Sequence, residues 1–373
     1  MPPPEAAGAT ARGTAAYRDR MVAGGVAPEH FRQLDGLWLS TLGLGTYLGG
    51  YDDATDDAYH DAIVRAVELG CNFLDTAVNY RCQRSERTIG RALKTVAERG
   101  LARRDELVVA TKGGFIPYDG APPADPGGWV RSYVTGRGLA SRSEIVAGVH
   151  CMTPAFLRDQ LRTSLANLGV AAVDVYYLHN PEAQLGEVDR REFLVRLQQA
   201  FTELEAAVAD GSIRGYGLAT WHGFRLAPEE PAYLSVEEVV RTARAALGGD
   251  GGHHLSAIQL PYNAAMHEAL SFANQTVAGE LKNTLDAATG RGLDVVASAG
   301  LRQGELAGGL PDALHTACPG LRTDAQRALQ FARSTPGVTA VLAGMGRTGH
   351  VEENLELGRV APAPGAAITA LFE

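Results

Sequence analysis

Short apolar runs alternate along the chain with stretches whose apolar residues recur every three to four positions. That change of period, from continuous to helical, is the primary signal for secondary structure. The runs are Leu42–Tyr47, Cys71–Asp75, Leu107–Lys112, Val173–Leu178, Ile213–Ala219, Leu255–Leu260, Leu293–Ser298 and Val338–Ala343. Most are apolar almost throughout, as strands buried on both faces are. Helical spacing predicts helices over Ala58–Leu69, from Ser85 past Leu93, over Arg190–Asp210, Val236–Leu247 and Asp324–Ser334, and from about Thr348. Thr153 caps a clear amphipathic helix through Phe156, Leu157, Leu161, Leu165 and Leu168, which Gly169 stops.

Eight strands, most followed by a helix, indicate a parallel (β/α)8 TIM barrel built as a single domain. A doubly wound sheet is the runner-up and requires Gly-x-Gly-x-x-Gly at the first strand–helix turn. Gly43-Leu44-Gly45-Thr46-Tyr47 lacks the third glycine, so the barrel is preferred. Two long loop insertions interrupt the alternation. In residues 113–152, Pro117, Pro122, Pro123 and Pro126 exclude a simple helix, and residues 221–232 form the second.

Chemistry collects at the ends of the strands, where barrels of this kind carry their functional groups. Asp75 ends the second strand, with Tyr80 on the loop beyond it; Lys112 ends the third and His179 follows the fourth. A phenol with an ordinary pKa near 10 is a slow acid–base group at neutral pH. An ammonium from Lys112, itself held by Asp75, is expected to lower the pKa of Tyr80. Tyr80 then serves as general acid or base, and His179 orients and polarises a carbonyl. Taken singly, these residues also read as a surface cation, a loop histidine, a turn cap and a loop anchor. Their succession at three consecutive strand ends favours a shared site.

Bulk properties narrow the setting. The 373 residues are 45% apolar and 21% charged, ordinary for a globular chain. A net charge of −9 argues against nucleic acid or an anionic membrane as a partner. Cys71, Cys82, Cys151 and Cys318 are spaced unlike metal ligands, and no metal is expected. No apolar run reaches the roughly 18 residues of a membrane span. Residues 1–25 are rich in Ala, Gly and Pro without a secretory apolar segment. The expectation is a cytoplasmic monomer or homo-oligomer, with a flexible arm over residues 1–30 and the barrel over 31–373.

In this order, Asp75, Tyr80, Lys112 and His179 resemble the catalytic tetrad of the aldo-keto reductases. The resemblance covers about Phe31 to Leu357. Leu34–Leu39 resembles the hairpin closing the barrel bottom, and Leu42-Gly43-Leu44-Gly45-Thr46 the first-strand signature beside the nicotinamide. Ser85-Glu86-x-x-Ile89-Gly90, Ile213-Arg214-Gly215-Tyr216-Gly217 and Gln259-x-x-Tyr262-Asn263 are similar to further family motifs. Leu301-x-x-Gly304-x-Leu306 resembles the pyrophosphate loop and Glu353-Asn354 the adenine-binding pair. The resemblance implies an extended nicotinamide cofactor contacting Gly45, Thr46, Tyr47, Asp75, Thr220, Gln259, Ser298, Leu301, Gln303, Gly304, Gly344, Arg347, His350, Glu353 and Asn354.

Several positions depart from the family pattern. Ala219-Thr220 stands for Ser-Asn, Ser298 for a stacking tyrosine, Gly344 for a lysine and His350 for an arginine. Arg347 is the strong cation left to pair with a 2′-phosphate. NADP(H) is the first choice by family habit, with NAD(H) as the alternative. The implied reaction interconverts an aldehyde or ketone with an alcohol; sugar lactol oxidation would use the same tetrad in reverse. Tyr47, Phe115, Tyr118, Trp129, Tyr133, Trp221 and Phe224 lie on loops expected at the active face. Of these, Tyr47, Phe115, Tyr118 and Trp221, with Tyr80 and His179, are the substrate candidates, suited to an aromatic or lipophilic carbonyl. Two rivals are a nucleotide-binding regulatory barrel with little turnover, and a redox-neutral dehydratase or cyclase using Tyr80 and Lys112.

Overall fold

The computed structural model describes residues 8–249 and 252–372. Eight parallel strands close into a barrel: β3 (Leu42–Gly45), β4 (Phe73–Asp75), β5 (Val108–Gly113), β6 (Val173–His179), β7 (Ile213–Ala219), β8 (Leu255–Pro261), β11 (Asp294–Ser298) and β12 (Ala340–Gly344). They follow one another in chain order round the barrel, and β8 pairs with β11 to complete it. An antiparallel hairpin, β1 (Phe31–Leu34) and β2 (Leu37–Ser40), precedes them, turned by Asp35-Gly36 with both residues at positive φ.

The helices are α1 (Ala11–Ala23), α2 (Asp53–Glu68), α3 (Arg84–Glu98), α4 (Pro126–Val130), α5 (Pro154–Leu168), α6 (Arg190–Ala209) and α7 (Val236–Ala246). They continue with α8 (Glu268–Ser271), α9 (Thr284–Gly290), α10 (Asp312–Ala317), α11 (Asp324–Ser334) and α12 (Thr348–Leu355). Local sequence explains their starts. Asp52, Thr153, Asp189, Ser235 and Thr323 each accept a first-turn backbone N–H, and Gly169 ends α5 at φ 65°.

Two packed layers result. Phe73, Val108, Ala110, Val175, Tyr177, Ala257, Val296 and Leu342 fill the barrel interior, and Leu34, Leu37 and Leu39 of the hairpin join them. The opposite strand faces pack on the buried stripes of the helices. Each such Val, Leu or Phe contributes roughly 1.5–3 kcal/mol by leaving water. Close approach inside the barrel demands glycine at Gly217: a Cβ there would stand 2.3 Å from the Ala257 carbonyl and 2.7 Å from the Tyr177 ring.

Two segments differ from expectation. Within the 1–30 arm, residues 11–23 form α1 rather than a flexible tail. Thr10 caps it, Tyr17 is fully buried with its hydroxyl donating to the Val67 carbonyl, and the Ala9 N–H donates to Asp174. Residues 1–7 lie outside the described residues. Between β8 and β11 the chain adds a hairpin, β9 (Ala273–Val277) and β10 (Glu280–Asn283), that periodicity does not reveal.

Candidate active site

The C-terminal ends of β4, β5 and β6 bring the four strand-end residues together. Lys112 and Asp75 are buried, and Lys112 Nζ lies 2.5 Å from Asp75 Oδ1. The ammonium also donates to the Thr76 carbonyl at 2.8 Å, while Gln259 Nε2 donates to Asp75 Oδ2 at 2.9 Å. Gln259, expected to contact the cofactor, spends its amide nitrogen on Asp75 and keeps its Oε1 for a ligand. Lys112 Nζ stands 4.9 Å from the centre of the Tyr80 ring. That ring meets His179 edge-on at 5.7 Å and Tyr47 at 5.0 Å. The Phe115 ring approaches His179 at 5.0 Å.

The electrostatics correct one expectation. Tyr80 is not brought down by Lys112: burial, then the charge of Asp75 and the neighbouring Tyr47, push its pKa well above the usual phenol value. Lys112 is paired with Asp75 at contact distance, so burial and the Asp75 carboxylate outweigh the ammonium at the phenol. Burial lowers the pKa of Lys112, against the pull of Asp75. Burial, then Lys112 and His150, hold His179 well below the usual imidazole range, so it is neutral at pH 7.

The aromatic residues divide. Tyr47 and Trp221 are exposed at the rim, at 60% and 42%, and Phe115 is half-buried against His179. Tyr118 packs edge-on against Trp129, which stacks on Tyr133 and fastens the first insertion to its own small core of Ile116, Val134, Cys151 and Phe156. Phe224 does not belong to the active face: it is fully buried, its carbonyl accepting from Asn274 and Thr284.

Among the described residues, several buried polar atoms in this region have no partner, among them Thr220 Oγ1, Asn354 Oδ1, His179 Nδ1, Thr76 Oγ1 and Asn79 Oδ1. Such atoms normally find a hydrogen bond, so a polar ligand lying along this rim fits the residues present. Gly45 is paired in register with Asp75 and with Gly344, placing bare backbone between the site and α12. Thr46 is already used, its hydroxyl donating to the Asp75 carbonyl. Ser298 is half-buried at the end of β11. Leu301, Gln303 and Gly304 sit in a turn with Gln303 and Gly304 at φ 57° and 97°. Arg347 and His350 are exposed, and neither joins an ion pair among the described residues. Glu353 is half-buried beside Asn354.

The site is braced by residues that the strand-end pattern does not mark. Glu182, three positions after His179, is buried and takes the backbone N–H groups of Trp221, His222 and Gly223 at 2.7, 3.0 and 3.4 Å. Burial raises its pKa against those three donors. Gln160 on α5 accepts from Gly114 N–H and donates to the Phe115 carbonyl. His150 and Gln184 are also buried here. Glu182 and Gln184 were findable as polar residues closely following a strand-end histidine; His150 lay inside an insertion without periodicity.

Comparison with known proteins agrees with this architecture. A family model described as the aldo/keto reductase family matches residues 41–227, half of the chain. The chain belongs to that family. An NADH-specific methylglyoxal reductase of Escherichia coli (strain K12) is 26% identical over 186 residues, 48% of each chain. A D-threo-aldose 1-dehydrogenase of Pseudomonas sp is 27% identical over 189 residues, 50% of this chain and 51% of that one. The matched part thus spans about half the length of these curated relatives. An aldo-keto reductase from Klebsiella pneumoniae, crystallised with NADPH, shares the fold at a TM-score of 0.59 and 19% identity, over 91% of this chain and 93% of that one.

Proposed function

We propose that the protein interconverts a carbonyl and an alcohol with a nicotinamide cofactor, NADP(H) before NAD(H). The observation that carries this reading is the convergence of a buried Lys112–Asp75 pair, the Tyr80 phenol and a neutral His179 at one rim. Bound NAD(P)H supplies the hydride; the chain's residues do the rest. Tyr80 holds its proton at neutral pH and delivers it to the alkoxide oxygen that forms as hydride reaches the carbonyl, a base strong enough to take it even from a phenol of raised pKa. Neutral His179 donates an N–H to the same oxygen and fixes its place. Lys112, anchored by Asp75, presents positive charge near the phenol as that proton leaves.

Thr220 and Asn354, with unpartnered buried oxygens, are suited to the cofactor's polar groups, with Arg347 at the start of α12 for a 2′-phosphate. The Klebsiella fold relative binds NADPH and the E. coli relative is named NADH-specific, which supports a nicotinamide and leaves its phosphate to Arg347. Tyr47 and Phe115 against Tyr80 and His179, with Trp221 exposed on the loop after β7, favour a ring-bearing or lipophilic carbonyl. NADPH fluorescence titration, followed by turnover with aromatic aldehydes and ketones, tests the reading. Binding with turnover is expected. Binding without turnover would favour a regulatory barrel, and no NADPH binding a redox-neutral enzyme.

A further inference from the structure

His179 raises a question that its own side chain does not answer. Its Nδ1 is buried without a partner, and no hydrogen bond among the described residues fixes the ring. The orientation of the imidazole therefore comes from its backbone and from the rings packed on it. Both lead to His150. His150 Nε2 lies 2.8 Å from the His179 carbonyl oxygen, and His150 is completely buried. Its ring meets Phe115 edge-on at 5.2 Å, and Phe115 in turn meets the His179 ring.

The partners define one tautomer. A carbonyl only accepts, so Nε2 carries the hydrogen. Nδ1 is then a lone pair, and Gln184 Nε2 donates to it at 2.9 Å. The Gln184 amide cannot turn over, because its Oε1 accepts from Arg196 Nη1 at 2.7 Å and an amide NH2 facing a guanidinium has no acceptor to offer. Arg196 is itself held by Glu192 at 2.8 Å and by the Ser143 carbonyl at 3.3 Å. Gly114, at φ 138°, makes room: a Cβ there would stand 2.8 Å from His150 Nε2 and 2.9 Å from the His179 oxygen.

We propose that His150 is a positioning residue for His179: the chain Arg196–Gln184–His150 ends on the His179 carbonyl and ties the 113–152 insertion to the end of β6, which bears the carbonyl-orienting imidazole. The inference rests on the function proposed above for His179. Burial, opposed by the His179 carbonyl, lowers the pKa of His150 to about 4, which agrees with a neutral donor at working pH.

His150→Phe keeps a ring but no donor, and His150→Gln restores an N–H close to the place of Nε2. With NADPH and an aldehyde that wild type reduces, His150→Phe should lose about 10²-fold in kcat, the scale of a 1 Å misplacement. Its NADPH affinity should stay unchanged, and His150→Gln should recover most of the loss. Gln184→Leu, which frees the tautomer but keeps the imidazole, should lose about tenfold and decides the matter if His150→Phe does not fold. A kcat within twofold of wild type in His150→Phe, or in Gln184→Leu where that variant decides, overturns the inference. So does a folded His150→Gln no faster than His150→Phe. The ¹⁵N spectrum of histidine-labelled wild type at pH 7 gives an independent reading: His150 should show an unprotonated Nδ1, and a protonated Nδ1 overturns the proposal. That spectrum stands even if wild type reduces no carbonyl, which would instead sink the proposed function.

Discussion

Removing the Asp75 carboxylate isolates a buried ammonium, and the consequence can be worked out from the surroundings of Lys112. In Asp75→Ala the side chain of Lys112, 1% exposed, keeps only the Thr76 carbonyl. An uncompensated buried charge neutralises if that is cheaper than staying charged. Deprotonating a lysine of ordinary pKa near 10.4 at pH 7.5 costs about 4 kcal/mol. This caps the penalty and agrees with the roughly 3–5 kcal/mol seen when one partner of a buried pair is removed. The sign with pH follows. In the variant, folded Lys112 has a depressed pKa, so the unfolded chain binds more protons between that value and about 10.4, and stability rises with pH across the window. Urea unfolding of wild type and variant should give a difference of about 4 kcal/mol at pH 7.5, falling to about 2 kcal/mol at pH 9. Replacing both partners, Asp75→Ala with Lys112→Met, should cost less than Asp75→Ala alone, because no charge is stranded. A difference below about 1 kcal/mol at both pH values would refute the reasoning, since Lys112 would then be hydrated and free of Asp75.

Other outcomes follow from particular residues. His150, with its pKa lowered to about 4, binds a proton more readily unfolded than folded, so its contribution to stability is complete above about pH 6.5 and lost as pH falls toward 4. Unfolding at pH 7 and 5 should show wild type losing about 2 kcal/mol more than His150→Gln. Ala278 sits at φ 51° before Gly279 at φ 86° in the β9–β10 turn, an exposed place that favours Asn, and Ala278→Asn should add roughly 0.5–1 kcal/mol to the urea stability. Arg347→Ala should weaken NADPH by roughly 10- to 150-fold by fluorescence titration and leave NADH nearly unchanged, a charge-assisted contact being worth roughly 1.5–3 kcal/mol.

The barrel was legible because its strands are buried on both faces and its helices on one, so two periods alternate without ambiguity. Boundaries moved by a few residues at most strands: β5 runs on to Gly113 and β4 shrinks to Phe73–Asp75. What escaped did so for physical reasons. Helix α1 carries Tyr17 as its one large fully buried side chain, with Met21 and Val22 only half-buried and the rest small or polar, too little apolar stripe to read as a helix. The β9–β10 hairpin turns on Ala278-Gly279 where Asn-Gly or Asp-Gly would have announced it, as Asp35-Gly36 suits β1–β2. Asp75, Tyr80, Lys112 and His179 stood out because strand ends deliver them in order. The raised pKa of Tyr80 did not, since it depends on how completely Asp75 matches Lys112 and on burial that only packing reveals. The bracing by His150, Gln184 and Glu182 joins segments 30–40 residues apart and has no local pattern.

Single-turnover NADPH oxidation by Tyr80→Phe, with NADPH binding titrated on the same sample, tests the central assignment most directly. The account predicts unchanged NADPH affinity with the rate lowered about 10²–10⁴-fold, the contribution of a positioned general acid. A variant that binds NADPH and reduces the carbonyl within a few fold of wild type would contradict it.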